Sequence, residues 1–292
     1  MGTEAKGWYL IVDVAKCDGC NNCTLAVRDE YIGNDFPGYS AAQPKHGHQW
    51  IRIQRRVRGD VPMVDAAYLP RTCNHCDAAP CIAAGGPGVV RKRDDGIVII
   101  DPERAKGRRD LVASCPYGAI WWNEERQLPQ HWTFDAHLLD QGATVPRCAG
   151  VCPTGAIRAV KVTPTEIGNV VEREQLRVLE PALGTHPRVY YRNLHRFDRA
   201  FVGGTVLGDV SGVVECIGGA QVSLCKDKRT VAEAKTDFFG EFKFDGVPAD
   251  GGAYSVWITH PDFGETRAYV TLSDSVYLGR LMLRAGGASA GV

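Results

Sequence analysis

The residues best placed to do chemistry in this chain are its cysteines, because of how they are spaced. Cys17, Cys20 and Cys23 stand two residues apart in CDGCNNC, so three thiolates can converge on one small volume. Cys73, Cys76 and Cys81 form a second set with C-x2-C-x4-C spacing, and Pro80 precedes the last of them. Spacing of the first kind opens the C-x2-C-x2-C-x3-C-P run, whose thiolates hold irons of a [4Fe–4S] cube. A lone C-x2-C is also half of a zinc site, but a third cysteine and a matching triplet favour iron. The chain has eleven cysteines, an odd number, and nine lie at or before Cys152. A secreted disulfide framework favours an even number in a shorter chain.

Neither triplet carries its own fourth cysteine, since the expected positions hold Val27 and Gly85. In the two-cluster pattern that fourth cysteine serves the other cluster. Two further motifs are depleted. Ala105, Arg108 and Leu111 stand where three cysteines would fall, which leaves Cys115-Pro116. Trp132 and Asp135 stand where a C-x2-C pair would fall, ahead of Cys148 and Cys152-Pro153. The endings CPYGAI and CPTGAI repeat, which points to duplication of one cluster-binding unit. If the four motifs are nested, an outer site joins Cys17, Cys20 and Cys23 to Cys152, and an inner site joins Cys73, Cys76 and Cys81 to Cys115. The complementary sites are then lost: Val27, Trp132, Asp135 and Cys148 form one, Gly85, Ala105, Arg108 and Leu111 the other. Neither is expected to bind, although Asp135 could in principle donate an oxygen. Cys148 is expected to be an ordinary thiol. Two [4Fe–4S] clusters are therefore expected, with about eight irons. A cube held by four cysteines has no open iron, which favours an electron carrier over a catalyst, and no catalytic residue is assigned. His75 sits between ligand candidates and reads as a supporting group. His46-Gly47-His48 reads as part of a polar loop.

The remaining sequence must position these loops. Residues 8–16 read as a strand entering the first triplet, residues 24–31 as a helix leaving it, and residues 163–179 as a polar helix. A Pro/Gly connector and the end of the cysteine signal place a boundary near residue 200, giving expected domains 1–199 and 200–292. Beyond it about seven short alternating segments read as a β-sandwich, with Phe242 and Phe244 on the buried face of GEFKFD. Cys216 and Cys225 lie there as unligated thiols. The expected fold class is α+β: a duplicated bacterial-ferredoxin-like domain followed by a small all-β sandwich, immunoglobulin-like or transthyretin-like. Lys+Arg and Asp+Glu balance at 34 each, so nothing suggests nucleic acid. No apolar run approaches the ~20 residues of a membrane span. The N-terminus has no basic stretch followed by an apolar one, so a cytoplasmic location is expected, although a partner could carry an export signal for both.

With these residues in hand, the chain resembles the iron–sulfur subunits of the dimethyl sulfoxide reductase superfamily of molybdenum and tungsten enzymes. Within it, the chain looks most like the small subunits of pyrogallol–phloroglucinol transhydroxylase and resorcinol hydroxylase. The likeness is carried by CDGCNNC, GNDFPGY, TCNHCDAAPC, DGIVIIDPERAKG, SCPYGAIWWNEE, AHLLD, PRVYYRNLHRF and TDFFGEFKFDGV, and by the appended sandwich. It implies an electron-transfer subunit in a heterodimer or larger complex. A large catalytic partner would carry molybdopterin guanine dinucleotide with Mo or W, and the outer cluster would face it. The resemblance has a departure: the transhydroxylase subunit keeps the cluster corresponding to Val27, Trp132, Asp135 and Cys148, so two clusters are expected here and not three. Two other readings stand beside it, a subunit of another molybdopterin oxidoreductase with a formate or inorganic substrate, and a module whose clusters are purely structural.

Overall fold

The structure is a computed structural model that describes residues 4–284. It divides into two compact units. One takes the chain up to Arg55 and resumes over Ala67–Leu194; the other takes Arg56–Ala66 and the chain from His195. A single cut between residues 199 and 200 is therefore not what the structure has. Strands Arg52–Arg58 and Asp65–Arg71 pair as a hairpin, and its tip belongs to the second unit. The physical reason is Arg58, whose side chain is fully buried. It donates to Asp245 at 2.8 Å, to the Arg199 carbonyl at 3.1 Å and to Asp65. Arg196 also reaches Asp65, at 2.6 Å. A shift of composition along the chain cannot reveal a hairpin that leaves one unit and returns to it.

The first unit is built on a three-stranded sheet ordered Ile157–Val162, Gly7–Asp13, Val189–Arg192. Gly7–Asp13 is buried along almost its whole length, which suits a central strand. It pairs antiparallel with Ile157–Val162, Val12 opposite Ile157, and parallel with Val189–Arg192. The strand ends at Asp13, short of the expected residue 16, because the Asp13 carbonyl accepts from the N–H groups of Lys16 and Cys17 in a turn. Helix Asn22–Tyr31 follows. Helix Pro164–Glu174 opens on a capping box between Thr163 and Glu166. It stops at Gln175, in a left-handed conformation, before the expected residue 179, and Arg177 goes on to bridge Tyr191. Two small hairpins, Val90–Lys92 with Val98–Ile100 and Trp121–Asn123 with Leu128–Gln130, complete the framework.

The second unit is all β apart from the short helix His195–Asp198. One sheet runs Val213–Cys216, Ala200–Val210, Glu241–Val247, with Val276–Met282 parallel to Ala200–Val210. The other runs Arg229–Lys235, Gln221–Lys226, Gly252–His260, Gly264–Leu272. Their inner faces share one core that includes Val202, Val206, Phe242, Phe244, Val222, Leu224, Val256 and Ile258. Phe242 and Phe244 point inward while Glu241, Lys243 and Asp245 point outward, as the alternation requires. The strand not foreseen is Val213–Cys216; all four of its residues are exposed, so no alternation marks it.

Burial pushes the Asp65 carboxyl up, but hydrogen bonds from Arg196 and Arg58 and the charge of Lys243 outweigh it and bring it down to about 2. A carboxyl depressed in the fold adds stability that is complete above its unfolded value of about 3.9. That stability is lost as pH falls through about 2. Hydrogen exchange of residues 56–66 and 241–247 is therefore expected to rise across that window, and D65N is expected to flatten the dependence. R58A leaves two carboxylates without their buried partner and is expected to cost about 3 kcal/mol or more in those segments. Unchanged protection in R58A would contradict the account.

Candidate metal centre

The four motif loops share a backbone feature that their side chains conceal. The third residue of each loop has positive φ: Gly19 at 76°, His75 at 45°, Gly107 at 74° and Phe134 at 59°. Two of these loops carry C-x2-C pairs, and two carry Ala105/Arg108 and Trp132/Asp135. A bulky aromatic residue at positive φ is a true outlier, so the depleted loops keep the conformation that a cluster loop needs. The two Cys-Pro turns also match. Gly118 N–H bonds the Cys115 carbonyl at 3.1 Å and Gly155 N–H the Cys152 carbonyl at 3.2 Å, with both glycines left-handed.

The inner four cysteines line one cavity. Cys73, Cys76, Cys81 and Cys115 face a common space, with Asn74, His75, Pro116, Tyr117, Ile120 and His131 also on its wall. Burial pushes the Cys73 thiol well up, and the nearby thiols of Cys115, Cys81 and Cys76 add to the rise, while the His75 backbone N–H bonds its sulfur. Burial and the Cys115 and Cys76 thiols push Cys81 to about 11. Four mutually repelling sulfurs in one enclosed volume suit a cationic metal core, which takes thiolates and releases their protons. Among the described residues no three His, Cys, Asp or Glu side chains converge on a single ion. In a cube each thiolate binds a different iron, so its ligands frame a volume and need not meet at a point.

The outer four lie at one end of the three-stranded sheet. Gly7–Asp13 runs into Cys17, and Ile157–Val162 runs out of Cys152, with Asp13 N–H on the Ala156 carbonyl at 2.8 Å. Burial raises the Cys17 thiol, and Cys152 and Cys20 add to it. Burial lifts Cys23 to about 11 against hydrogen bonds from Thr24, with Cys17 and Cys152 adding to the rise. Cys20 is exposed, Cys17 and Cys152 half-buried and Cys23 buried, so this loop reaches the surface. Backbone bends hold it: Asp18 Oδ1 accepts from the Cys20 N–H at 3.1 Å, and Asn21 is left-handed.

The two depleted sites are filled, each by different chemistry. Val27, Trp132, Asp135 and Cys148 are all essentially inaccessible. Asp135 Oδ1 accepts from the Trp132 indole N–H and from Tyr31 O–H, each at 2.9 Å, and Oδ2 from the Arg147 N–H at 2.7 Å. Burial raises the Asp135 carboxyl although these three donors pull it down. Both oxygens are thus engaged by protein donors. Burial pushes the Cys148 thiol well up, with Asp135 and Cys23 adding to it. At the other site Ala105 and Leu111 join an apolar core with Val90, Val98, Ile100 and Ile120. Arg108 turns its guanidinium to the carbonyls of Gly85 at 3.0 Å and Ala84 at 2.7 Å, at the end of helix Pro80–Gly85.

Comparison with known proteins supplies the family. Residues 64–162 match a family model described as a 4Fe-4S dicluster domain. Over 279 residues the chain is 45% identical to the pyrogallol hydroxytransferase small subunit of Pelobacter acidigallici, covering 94% of this chain and 99% of that one. The chain belongs to the pyrogallol hydroxytransferase small-subunit family. More distant relatives include one of the tetrathionate reductase subunits of Salmonella typhimurium, 33% identical over 69% of this chain and 77% of that one. The thiosulfate reductase electron transfer subunit PhsB of Salmonella typhi is 26% identical over 68% of this chain and 100% of its own.

For a small subunit of this family, some neighbours of the cysteines carry no sequence signal. Lys92 Nζ donates to the carbonyls of His75 at 2.9 Å and Cys76 at 2.8 Å and pairs with Asp77 at 2.9 Å, so a cation braces the inner loop. Thr185 hydrogen-bonds the Cys76 sulfur and sits 2.6 Å from Tyr117 O–H. A lone lysine in a strand and a lone threonine in a connector announce nothing. His46-Gly47-His48 lies in a loop, as expected, but within it His48 is buried and bonds the Trp122 carbonyl at 2.9 Å. All eleven cysteines are free of disulfides; Cys216 is exposed and Cys225 half-buried. D135A would leave the buried Trp132 indole N–H and the Arg147 N–H without their acceptor, while Tyr31 keeps Thr133 at 2.8 Å, and is expected to cost on the order of 2 kcal/mol. The thermal midpoint should fall while the iron content per chain stays the same. Loss of iron in D135A would instead make Asp135 a ligand.

Proposed function

We propose that the chain is the electron-transfer iron–sulfur subunit of a heteromeric molybdopterin enzyme that hydroxylates or transhydroxylates polyhydroxybenzenes of the pyrogallol, phloroglucinol or resorcinol type. The enclosure of Cys73, Cys76, Cys81 and Cys115 around one cavity carries the reading. The full-length similarity to a subunit named for pyrogallol hydroxytransferase supports the substrate class. One [4Fe–4S] cube belongs to those four cysteines and a second to Cys17, Cys20, Cys23 and Cys152. A bound cube supplies one-electron transfer. The chain's own residues anchor the cube, deliver backbone N–H groups to sulfur and exclude water from the inner site. Val27, Trp132, Asp135 and Cys148, and Gly85, Ala105, Arg108 and Leu111, hold no metal. Catalysis belongs to a large partner that carries molybdopterin guanine dinucleotide with Mo or W. The outer loop, where Cys20 is exposed and Leu25 stands out from the helix behind it, is the face offered to that partner. Among the described residues no helix is long and apolar enough to cross a membrane; we assign the complex to the cytoplasm. The second unit is a sandwich of transthyretin or immunoglobulin type.

A second reading, in which the clusters hold the fold and carry no current, is favoured by the filled site at Trp132 and Asp135, which removes a stepping stone. Freeze-quenched EPR during turnover separates the two, because structural clusters would keep one oxidation state throughout.

Iron and acid-labile sulfide in the anaerobically purified complex should come to about eight of each per chain. C23S and C152S should each remove the same EPR signal and about half the iron, and C115S should remove the other signal. Loss of different signals in C23S and C152S would overturn the pairing.

A further inference from the structure

The wall of the inner cavity holds a polar atom whose partner is missing. His75 is 2% exposed, and its Nδ1 lies 3.1 Å from the Val98 N–H. An N–H only donates, so Nδ1 must be the bare nitrogen, and the imidazole proton sits on Nε2. A protonated ring is excluded by the same contact, since Nδ1–H would face Val98 N–H. The Nε2–H is buried and has no partner. Buried donors are rarely left unpaired, because each one costs about 1–3 kcal/mol.

No nitrogen, oxygen or sulfur beside His75 accepts this hydrogen, and aromatic rings are at most weak acceptors. Trp132 and Phe134 present rings, with centroids 5.8 and 5.4 Å away. His131 lies 5.9 Å away, and its Nε2 also has no partner, so the two rings exchange no hydrogen bond. The Nδ1 of His131 lies 2.6 Å from the Trp132 carbonyl, which can only accept. That leaves a bare Nε2 on His131, so of the two imidazoles on the wall His75 is the one that brings a donor. Asn74 also lines the cavity, but neither its amide oxygen nor any cysteine sulfur bonds the His75 Nε2–H; the other groups the wall turns to a bound cube are the sulfurs of Cys73, Cys76, Cys81 and Cys115. The outer loop has no counterpart: its third residue is Gly19, and a Cβ there would stand 2.6 Å from the Tyr68 ring.

We infer that His75 donates its Nε2–H to sulfur of the inner cluster and so raises that cluster's reduction potential. This rests on the reading that Cys73, Cys76, Cys81 and Cys115 hold a cube. A donor aimed at sulfur stabilises the extra negative charge of the reduced state. Val98 fixes the tautomer, and the left-handed backbone at His75 turns the ring inward between two cysteines that stay on the cluster.

The test uses the whole anaerobic complex carrying nitrogen-isotope-labelled histidine. Pulsed EPR of the reduced protein should show a weak histidine-nitrogen hyperfine coupling on one cluster signal and not on the other. H75L should lose that coupling and shift the same cluster to lower midpoint potential. H75Q, whose amide can accept from Val98 N–H and donate to sulfur, should recover most of the shift. No histidine coupling on either signal of the labelled wild-type protein overturns the inference, as does H75L with two clusters and an unchanged midpoint. Absence of any coupling in the labelled wild type overturns the inference even where a variant loses its inner cluster, and a coupling that persists in H75L belongs to His131 and overturns it too. An iron count near eight per chain in the same sample separates failure of this inference from failure of the two-cluster reading.

Discussion

Each proposed cluster depends on one constraint: three of its thiols lie close together in sequence and the fourth arrives from far along the chain. Local loop geometry can assemble a triplet, but only tertiary pairing can bring the fourth. At the outer site that pairing is antiparallel. Gly7–Asp13 leads into Cys17, Ile157–Val162 leads out of Cys152, and Val12 stands opposite Ile157. Two strands running in opposite directions place the end of one beside the start of the other. Both faces of Gly7–Asp13 are packed, so shifting the register by one residue would exchange Leu10 and Val12 with Tyr9 and Ile11, side chains of different size and shape, between two close-packed faces. The hydrophobic sheet therefore sets the position of the metal loop, and the cysteines add little to that choice. A bound cluster would in turn tie the two ends of the unit together, because it holds the chain at Cys17 and at Cys152.

The depleted motifs combine the backbone of a cluster loop with side chains that are not thiols. The loops of Ala105/Arg108 and Trp132/Asp135 have the same left-handed third residue as the two loops with cysteines. Phe134 carries that conformation without the freedom of glycine, and neighbours must hold it there. Trp132 stacks on it at 4.9 Å, Trp8 lies 5.9 Å away and His75 packs edge-on. The volume was closed in two ways. Around Asp135 a carboxylate with three donors forms a satisfied polar plug. Around Leu111 plain apolar packing fills the space. Both remedies obey one rule: a buried volume without metal must be either dry and apolar or fully hydrogen-bonded.

Much of the first unit was legible because thiol chemistry depends on residue type and spacing. The cysteine triplets and the strands that lead into their loops follow from short-range pattern, as does, in the second unit, the alternation at Phe242 and Phe244. Features set by distant partners were not legible. The Arg56–Ala66 tip belongs to the second unit because Arg58 meets Asp245 across a long sequence gap, and no local signal marks either residue. Val213–Cys216 is a strand with no buried face, so periodicity cannot find it. Lys92 supports the inner loop through backbone carbonyls, an interaction that any lysine in reach could make. His75 was visible as a neighbour of cysteines, but its role turns on which ring nitrogen holds the proton. That is decided by Val98, on a strand reached only after the chain has folded back.

The same distinction bears on how the two proposed sites divide their work. The outer loop is at the surface, with Cys20 exposed and a glycine where the inner loop has His75. Water reaches Cys20, so solvent and whatever docks there contribute to the site's potential beside the Thr24 hydrogen bonds to Cys23. The inner loop has no exposed cysteine, is lined by Tyr117, Ile120 and Val98, and meets groups that the fold supplies: an imidazole N–H, the Lys92 ammonium and backbone N–H groups. A fixed environment keeps a potential constant through a catalytic cycle, while an exposed one changes when a partner covers it. In the proposed reading the Trp132–Asp135 plug offers no metal stepping stone, because its groups do not change oxidation state. Electron exchange between the two proposed sites then depends on their energy match, and so on the hydrogen bonds at the inner one.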